Sequence, residues 1–198
     1  TSVKPGDIAM TVEGSQQSIL KAERLVLNVM QRMSGIATYT NKIVQLIDGT
    51  KTKVLDTRKT TPLLRTLEKQ AVKIGGGENH RFGLYDMIML KDNHIDYAGG
   101  IKAAVTKTKE YLNSTGRDLK IEVEARDLNE VKEILAIGGV DRIMLDNFNY
   151  SDTKTAVEII GSTCETESSG GITIDTIRAY AECGVDYISI GALTHSIK

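Results

Sequence analysis

The sequence predicts an α/β fold in which about six parallel strands, wrapped by helices, form an open or incomplete TIM-like barrel. Three observations predict it. Short apolar runs alternate with amphipathic helical segments from residue 53 onward, the rhythm of parallel strands with helices packed outside. The helical segments carry their own start and stop residues. A polar, chemically capable group stands just past every run, as happens where the strand ends of a barrel converge on one mouth. A doubly wound sheet shares the first two features; the third favours the barrel.

At the amino end, "SVKPGDIAMTVEG" gives a turn at Pro5-Gly6-Asp7 and a short strand alternating Ile8, Met10 and Val12, with no evident partner. From Ser18 to about Ile47 the pattern is helical. Two pieces are expected, broken at Gly35, since glycine costs a helix interior roughly 1 kcal/mol. The strands follow as "KVL" (53–55), "MIML" (87–90), "KIEVE" (120–124), "RIML" (142–145), "CETES" (164–168) and "YISI" (187–190). Between them, Thr61 is placed to cap a helix with Pro62 at its first position. Asp127 to Glu130 resembles a capping box, with Val131 and Leu135 on one face. Ser151 is expected to cap a helix that turns Val157 and Ile160 inward and stops at Gly161. Thr173 is expected to start another, carrying Ile174, Ile177 and Ala181 before Gly184. The chain starts at Thr1 rather than methionine and stops at Lys198 soon after an apolar strand, so a piece of a longer protein is expected.

Forty per cent of the 198 residues are apolar and 26% are charged, with no tryptophan, which suits one main globular domain. No apolar run is long enough to span a bilayer. With 25 basic and 26 acidic residues the net charge is -1, unlike the basic balance of a nucleic-acid binder; any anion site needs positive charge concentrated locally. Cys164 and Cys183 form no metal or redox spacing, and buried free thiols in a reducing, cytoplasmic compartment are expected.

The candidate site lies at the strand ends. The first strand is followed by Asp56, Thr57, Arg58 and Lys59; the second by Lys91, Asp92, Asn93 and His94. The third ends on Glu124, the fourth on Asp146 and Asn147, the fifth on Ser169-Gly170-Gly171, the sixth on Gly191. Glycines in the last two strand-to-helix loops let backbone N–H groups close on a phosphate. The opposite wall is basic: Arg58, Lys59, Lys91, and His80 with Arg81. Glu124 and Asp146 would face those cations, and paired carboxylates beside a phosphate suit Mg2+. The bland alternative is charge balance against the lysines.

In order from Ala22 to His195 the chain carries "AERLVLN", "SGIAT", "DTRKTTP", "GGGENHR", "KDNH", "EVEA", "LDNF", "SSGGI" and "ISIGALTH". In these motifs it resembles the quinolinate phosphoribosyltransferases, the decarboxylating nicotinate-nucleotide pyrophosphorylases. The resemblance implies that residues 1–33 are a remnant of an N-terminal α/β sandwich domain with its connecting helix. It makes 34–198 the barrel domain, short of its C-terminal tail. It implies transfer of phosphoribosyl from phosphoribosyl pyrophosphate to quinolinate with loss of carbon dioxide, giving nicotinate mononucleotide for NAD synthesis. Lys91, Glu124 and Asp146 would be catalytic. Arg58, Arg81 and Lys91 would hold the quinolinate carboxylates, with Lys59 and His80 beside them. Lys59 and Lys91 would also reach the phosphoribosyl substrate, Glu124 and Asp146 its ribose hydroxyls and Mg2+. Ser169, Gly170, Gly171 and Gly191 would cradle its 5-phosphate, with His195 near. Arg24 resembles an arginine donated in trans within a homodimer. A nicotinate or related phosphoribosyltransferase, a sugar-phosphate lyase or isomerase using Lys91 as base or imine-forming amine, and a non-catalytic phosphate-binding barrel stand as alternatives.

Overall fold

The computed structural model describes residues 2–197; the expectations resting on Thr1 and Lys198 lie outside the described residues. Six strands form one all-parallel sheet: β1 (Lys53–Leu55), β2 (Ile88–Leu90), β3 (Ile121–Ala125), β4 (Arg142–Asp146), β5 (Glu165–Ser169) and β6 (Tyr187–Ser189). Their order is β1-β6-β5-β4-β3-β2. Successive strands are therefore neighbours from β2 to β6, β6 returns to β1, and the ladder stays open between β1 and β2. This is the open TIM-like α/β barrel expected. The free edge of β1 is covered by a single parallel bridge to Glu78, whose N–H donates to Val54 O at 2.8 Å.

The helices are α1 (Gln16–Leu46), α2 (Arg65–Ile74), α3 (Asp92–Ala98), α4 (Ile101–Thr115), α5 (Leu128–Ile137), α6 (Tyr150–Ile160), α7 (Ile177–Glu182) and α8 (Ala192–His195). From α4 to α7 each packs on the next, and α1 packs between α7 and α2, so the long first helix closes the outer ring. Only its second half is buried, through Ile36, Thr40 and Ile43; Leu20 and Leu25 on the first half are exposed.

Five local expectations differ from the structure. Helix α1 is continuous through Gly35, because a side chain there would meet Ile197 Cγ2 at 3.0 Å: the glycine serves close packing, which outweighs its propensity cost. The segment around Ile8, Met10 and Val12 is exposed and forms no strand; without a partner its backbone groups gain nothing from β pairing. Thr61 does not cap a helix: its N–H is taken by Glu68 Oε2 and its hydroxyl by Arg32, and α2 starts at Arg65 after a turn. Asn149, not Ser151, caps α6, its Oδ1 accepting the Asp152 N–H at 2.9 Å. Thr173 begins a turn in which Thr176 Oγ1 accepts its N–H, and α7 follows at Ile177. Asp127 does cap α5, accepting from Asn129 and Glu130 N–H, and Gly161 does end α6. Both cysteines are free, as expected, but half-buried rather than buried.

Candidate active site

Alternation along parallel strands builds the site, since every second residue shares a face. Glu122 and Glu124 share one face of β3, as do Arg142, Met144 and Asp146 on β4, and Glu165, Glu167 and Ser169 on β5. The register puts Glu124 beside Met144 and Asp146 beside Ser169. The interior therefore has a buried ionic layer beneath a polar mouth.

At the mouth lies a cavity of about 750 Å³. Its lining includes Arg58, Lys59, His80, Arg81, Lys91, Glu124, Asp146, Ser169, Gly170, Gly171, Gly191 and His195. Every expected site residue but Arg24 is thus brought together. Arg24 stands exposed on α1, outside this lining.

The basic wall is built for oxyanions. Arg58 Nε is buried with no hydrogen-bond partner, and a buried donor calls for an acceptor. Burial, then the charge of Arg58, pushes Arg81 below its usual pKa, so the two guanidiniums sit close enough to repel. Lys91 Nζ lies 3.6 Å from Glu124 Oε2. Across the cavity, Gly170 (φ 97°) and Gly171 (φ 62°) turn the chain left-handed after β5. A Cβ at Gly170 would overlap Asn147 Oδ1 and stand 2.9 Å from Asn147 N, and one at Gly191 would stand 2.9 Å from His195 Nε2. These loops close only around glycine.

Two strand-end groups do other work than expected. Asp56 is fully buried and accepts from Lys69 Nζ at 2.5 Å, Asn79 Nδ2 at 2.6 Å and the His80 N–H at 2.9 Å. It anchors the segment that carries His80 and Arg81. His94 lies in the first turn of α3 and accepts the Lys91 N–H through Nδ1 at 3.1 Å. His80 itself lines the cavity but turns its ring inward: Nε2 is 3.0 Å from Glu122 Oε2 and 3.4 Å from Glu167 Oε2. Arg142 pairs with Glu167 and Glu165 at 3.0 and 2.9 Å.

Sequence reasoning passed over Glu122, Arg142 and Glu167, although period-2 spacing back from Glu124, Asp146 and Ser169 was the signal for them. It also passed over a knot beneath the cavity. Arg32 donates to Glu68 Oε1 at 2.9 Å and to Thr194 O at 2.6 Å, while Thr194 Oγ1 donates to Lys59 O at 2.8 Å. This ties the loop after β1 to the loop after β6.

The model of the family described as quinolinate phosphoribosyl transferase, C-terminal domain, matches residues 36–198, and that of the corresponding N-terminal domain matches 1–34. The chain belongs to the quinolinate phosphoribosyltransferase family. Within it, the chain is 47% identical to the chloroplastic nicotinate-nucleotide pyrophosphorylase [carboxylating] of Arabidopsis thaliana, over 94% of this chain and 57% of that protein. It is 45% identical to the probable nicotinate-nucleotide pyrophosphorylase [carboxylating] of Bacillus subtilis (strain 168), over 98% of this chain and 65% of that one. Among solved structures it matches NadC from Streptococcus pyogenes with TM-score 0.87 and 44% identity, over 93% of this chain and 64% of that chain. The chain thus spans under two thirds of the length of these family members. Among the described residues no helix is long and apolar enough to cross a membrane.

The donor set at Glu124 and Asp146 fits the Mg2+ expected of the family site. Glu124 Oε2 is buried without a hydrogen-bond partner. Burial raises the Glu124 pKa, Lys91 opposes that rise, and the charge of Asp146 adds to it; both carboxylates line the one cavity and offer the oxygen ligands that Mg2+ takes.

Proposed function

We propose that the full-length protein transfers phosphoribosyl from phosphoribosyl pyrophosphate to quinolinate and decarboxylates the product to nicotinate mononucleotide. The observation that carries this is a single cavity with Arg58, Arg81 and Lys91 on one wall and the glycine loops 169–171 and 191 on the other. Two arginine forks suit a pyridine carrying two carboxylates. Held between them and the phosphate loops, the ring nitrogen is aimed at carbon 1 of the ribose, which is catalysis by positioning. The nitrogen's lone pair forms the new C–N bond, and the C1–O bond breaks with its electrons leaving on pyrophosphate. The bond from ring carbon 2 to its carboxylate then breaks, carbon dioxide departs, and carbon 2 takes a proton. The now-cationic ring nitrogen stabilises the electron pair left behind, so no dedicated base is needed for that step.

Glu124 and Asp146 would hold Mg2+, which supplies positive charge to the diphosphate when bound. Lys91, paired with Glu124 at the cavity, would place its cation between the two anionic substrates. The same ion pair sits poorly with the lyase reading, whose imine-forming lysine needs a desolvated, unpaired amine. A full-length assay with quinolinate and nicotinate in parallel, following carbon dioxide and pyrophosphate, tests the reading. Turnover of nicotinate alone, or none with either, would overturn it.

We further propose, from the family resemblance, a homodimer in which each subunit lends Arg24, exposed on α1 and outside its own cavity lining, to its partner's cavity. Arg24→Ala and Lys91→Ala homodimers should each be nearly inactive. After mixing and subunit exchange, heterodimers have one intact site, and roughly a quarter of wild-type activity should return by two-fold symmetry. No recovery despite demonstrated exchange would show that Arg24 does not act in trans. Two free cysteines accord with a reducing, cytoplasmic location.

A further inference from the structure

Arg65 opens α2, directly after the loop that carries Arg58 and Lys59. Its guanidinium is half-buried and meets no carboxylate in its hydrogen bonds. Nε donates to Thr60 Oγ1 at 3.1 Å, Nη2 to Arg58 O at 3.2 Å, and Nη1 to Phe82 O at 3.0 Å. Its Cζ also lies 6.0 Å from the centre of the Phe82 ring. One side chain therefore holds the backbone of Arg58 itself and the backbone of the residue next to Arg81.

The far loop can transmit that hold. Asp86 accepts the Phe82 N–H at 2.5 Å and the Gly83 N–H at 2.8 Å, which makes 82–86 a closed turn. On its other side, Asp56 accepts the His80 N–H. Arg81 thus hangs between two fixed points, and Arg65 ties one of them to Arg58. The tie has a reason. Burial first, and then the charge of Arg58, lowers the Arg81 pKa, and the two segments are otherwise joined only at their base, by the Leu55–Glu78 bridge and the Asp56 contacts to Asn79 and His80, with nothing there that fixes Arg58 against Phe82. A third cation beside two others is electrostatically costly unless an anion is to be held nearby. A planar fork spreads its donors over three nitrogens and so reaches acceptors on separate segments, whereas the three donors of an ammonium radiate from one point.

We propose that Arg65 is a positioning residue, clasping the two loops that carry Arg58 and Arg81 and so setting the spacing of the guanidiniums that grip the two substrate carboxylates. The proposal rests on the quinolinate reading above for the ligand, and on geometry alone for the clasp. It makes Arg65 a determinant of the choice between a dicarboxylate and a monocarboxylate.

Arg65→Lys and Arg65→Gln in the full-length protein test it by three measurements. Loss of spacing should raise KM for quinolinate by about tenfold to a hundredfold, leave KM for phosphoribosyl pyrophosphate within about threefold, and erode the preference of quinolinate over nicotinate as competing ligands. Hydrogen exchange should rise together in peptides covering 57–64 and 80–86, with little change in Tm. An equal rise in both KM values with an unchanged preference would overturn the proposal, as would unaltered exchange in the second loop. Absence of quinolinate turnover by the wild-type protein would sink the proposed reaction. The paired rise in exchange would then still carry the clasp, and its absence would overturn it.

Discussion

Arg58 presents a buried Nε with no protein acceptor, next to a like charge that opposes it. A carboxylate satisfies both conditions at once, through two parallel hydrogen bonds. Lysine keeps the charge and loses the fork. Arg58→Lys is therefore expected to weaken quinolinate binding by about tenfold or more, the worth of one charged hydrogen bond, with little effect on phosphoribosyl pyrophosphate. Calorimetry with each ligand separately checks this; equal losses would show that Arg58 is not a carboxylate clamp. Five residues further on, Leu63 is fully exposed yet holds φ at 66°. A left-handed non-glycine residue costs about 1–2 kcal/mol, and this side chain packs on nothing that could offset it. Leu63→Gly relieves the strain but adds unfolded-state freedom of about 0.5–1 kcal/mol, for a net gain of up to about 1.5 kcal/mol. Tm should rise by about 1–3 °C for a chain of this length, whereas Leu63→Ala should leave it unchanged. A rise with alanine as well would place the effect in the side chain rather than the backbone.

Elements were legible where one local signal decides them. Five of the six strands stand where apolar runs were flanked by polar groups, as buried parallel strands are commonly written; β5, Glu165–Ser169, has no apolar residue and was legible only from the strand–helix rhythm around it. Helix starts were legible only where the capping side chain had no rival use. Asp127 caps as expected, but Thr61 has both its polar groups drawn into the Arg32–Glu68 knot, and the arginine that takes its hydroxyl lies 29 residues away, beyond any local pattern. Arg65 was hidden for the same reason: its acceptors are backbone carbonyls and a hydroxyl, which carry no charge to match. The glycine loops sit between these cases. The pattern "SSGGI" suggested a phosphate cradle, and the structure distinguishes its two glycines. Gly171 has open space around its missing side chain, while a Cβ at Gly170 would strike Asn147. Both have positive φ. Gly170→Ala should therefore weaken phosphoribosyl pyrophosphate binding more than Gly171→Ala does, by moving the loop against the turn after β4. Titration of each variant with phosphoribosyl pyrophosphate checks the order, and equal losses would reduce both glycines to turn residues.

The molecule as a whole is built around ions in its barrel interior, where His80, Glu122, Glu167 and Arg142 are all buried. Burial pushes the His80 pKa down, and Glu122 and Glu167 push it up further, to about 9. Burial, then the charge of Glu167, raises Glu122 to about 7. The Arg81 N–H points at His80 Nδ1 from 2.7 Å, which disfavours a proton on that nitrogen. The geometry therefore favours the rise at Glu122, and the two shifts describe one proton held by the cluster. Arg142, paired with Glu165 as well as Glu167, keeps the remaining carboxylate charge balanced. Both shifts have the same sign in stability. A folded-state pKa above the unfolded value means that the native protein binds the proton more tightly. The contribution is complete below the unfolded values, 4.5 for Glu122 and 6.5 for His80, and is lost as pH rises through about 7 and at the latest about 9. Unfolding by urea at a series of pH values should show stability falling across that window. In Glu122→Gln, whose amide cannot release the proton, the fall should flatten. A wild-type stability that stays level or rises from pH 7 to 9 would mean that the cluster carries no extra proton, leaving the carboxylates balanced by Arg142 and the imidazole alone.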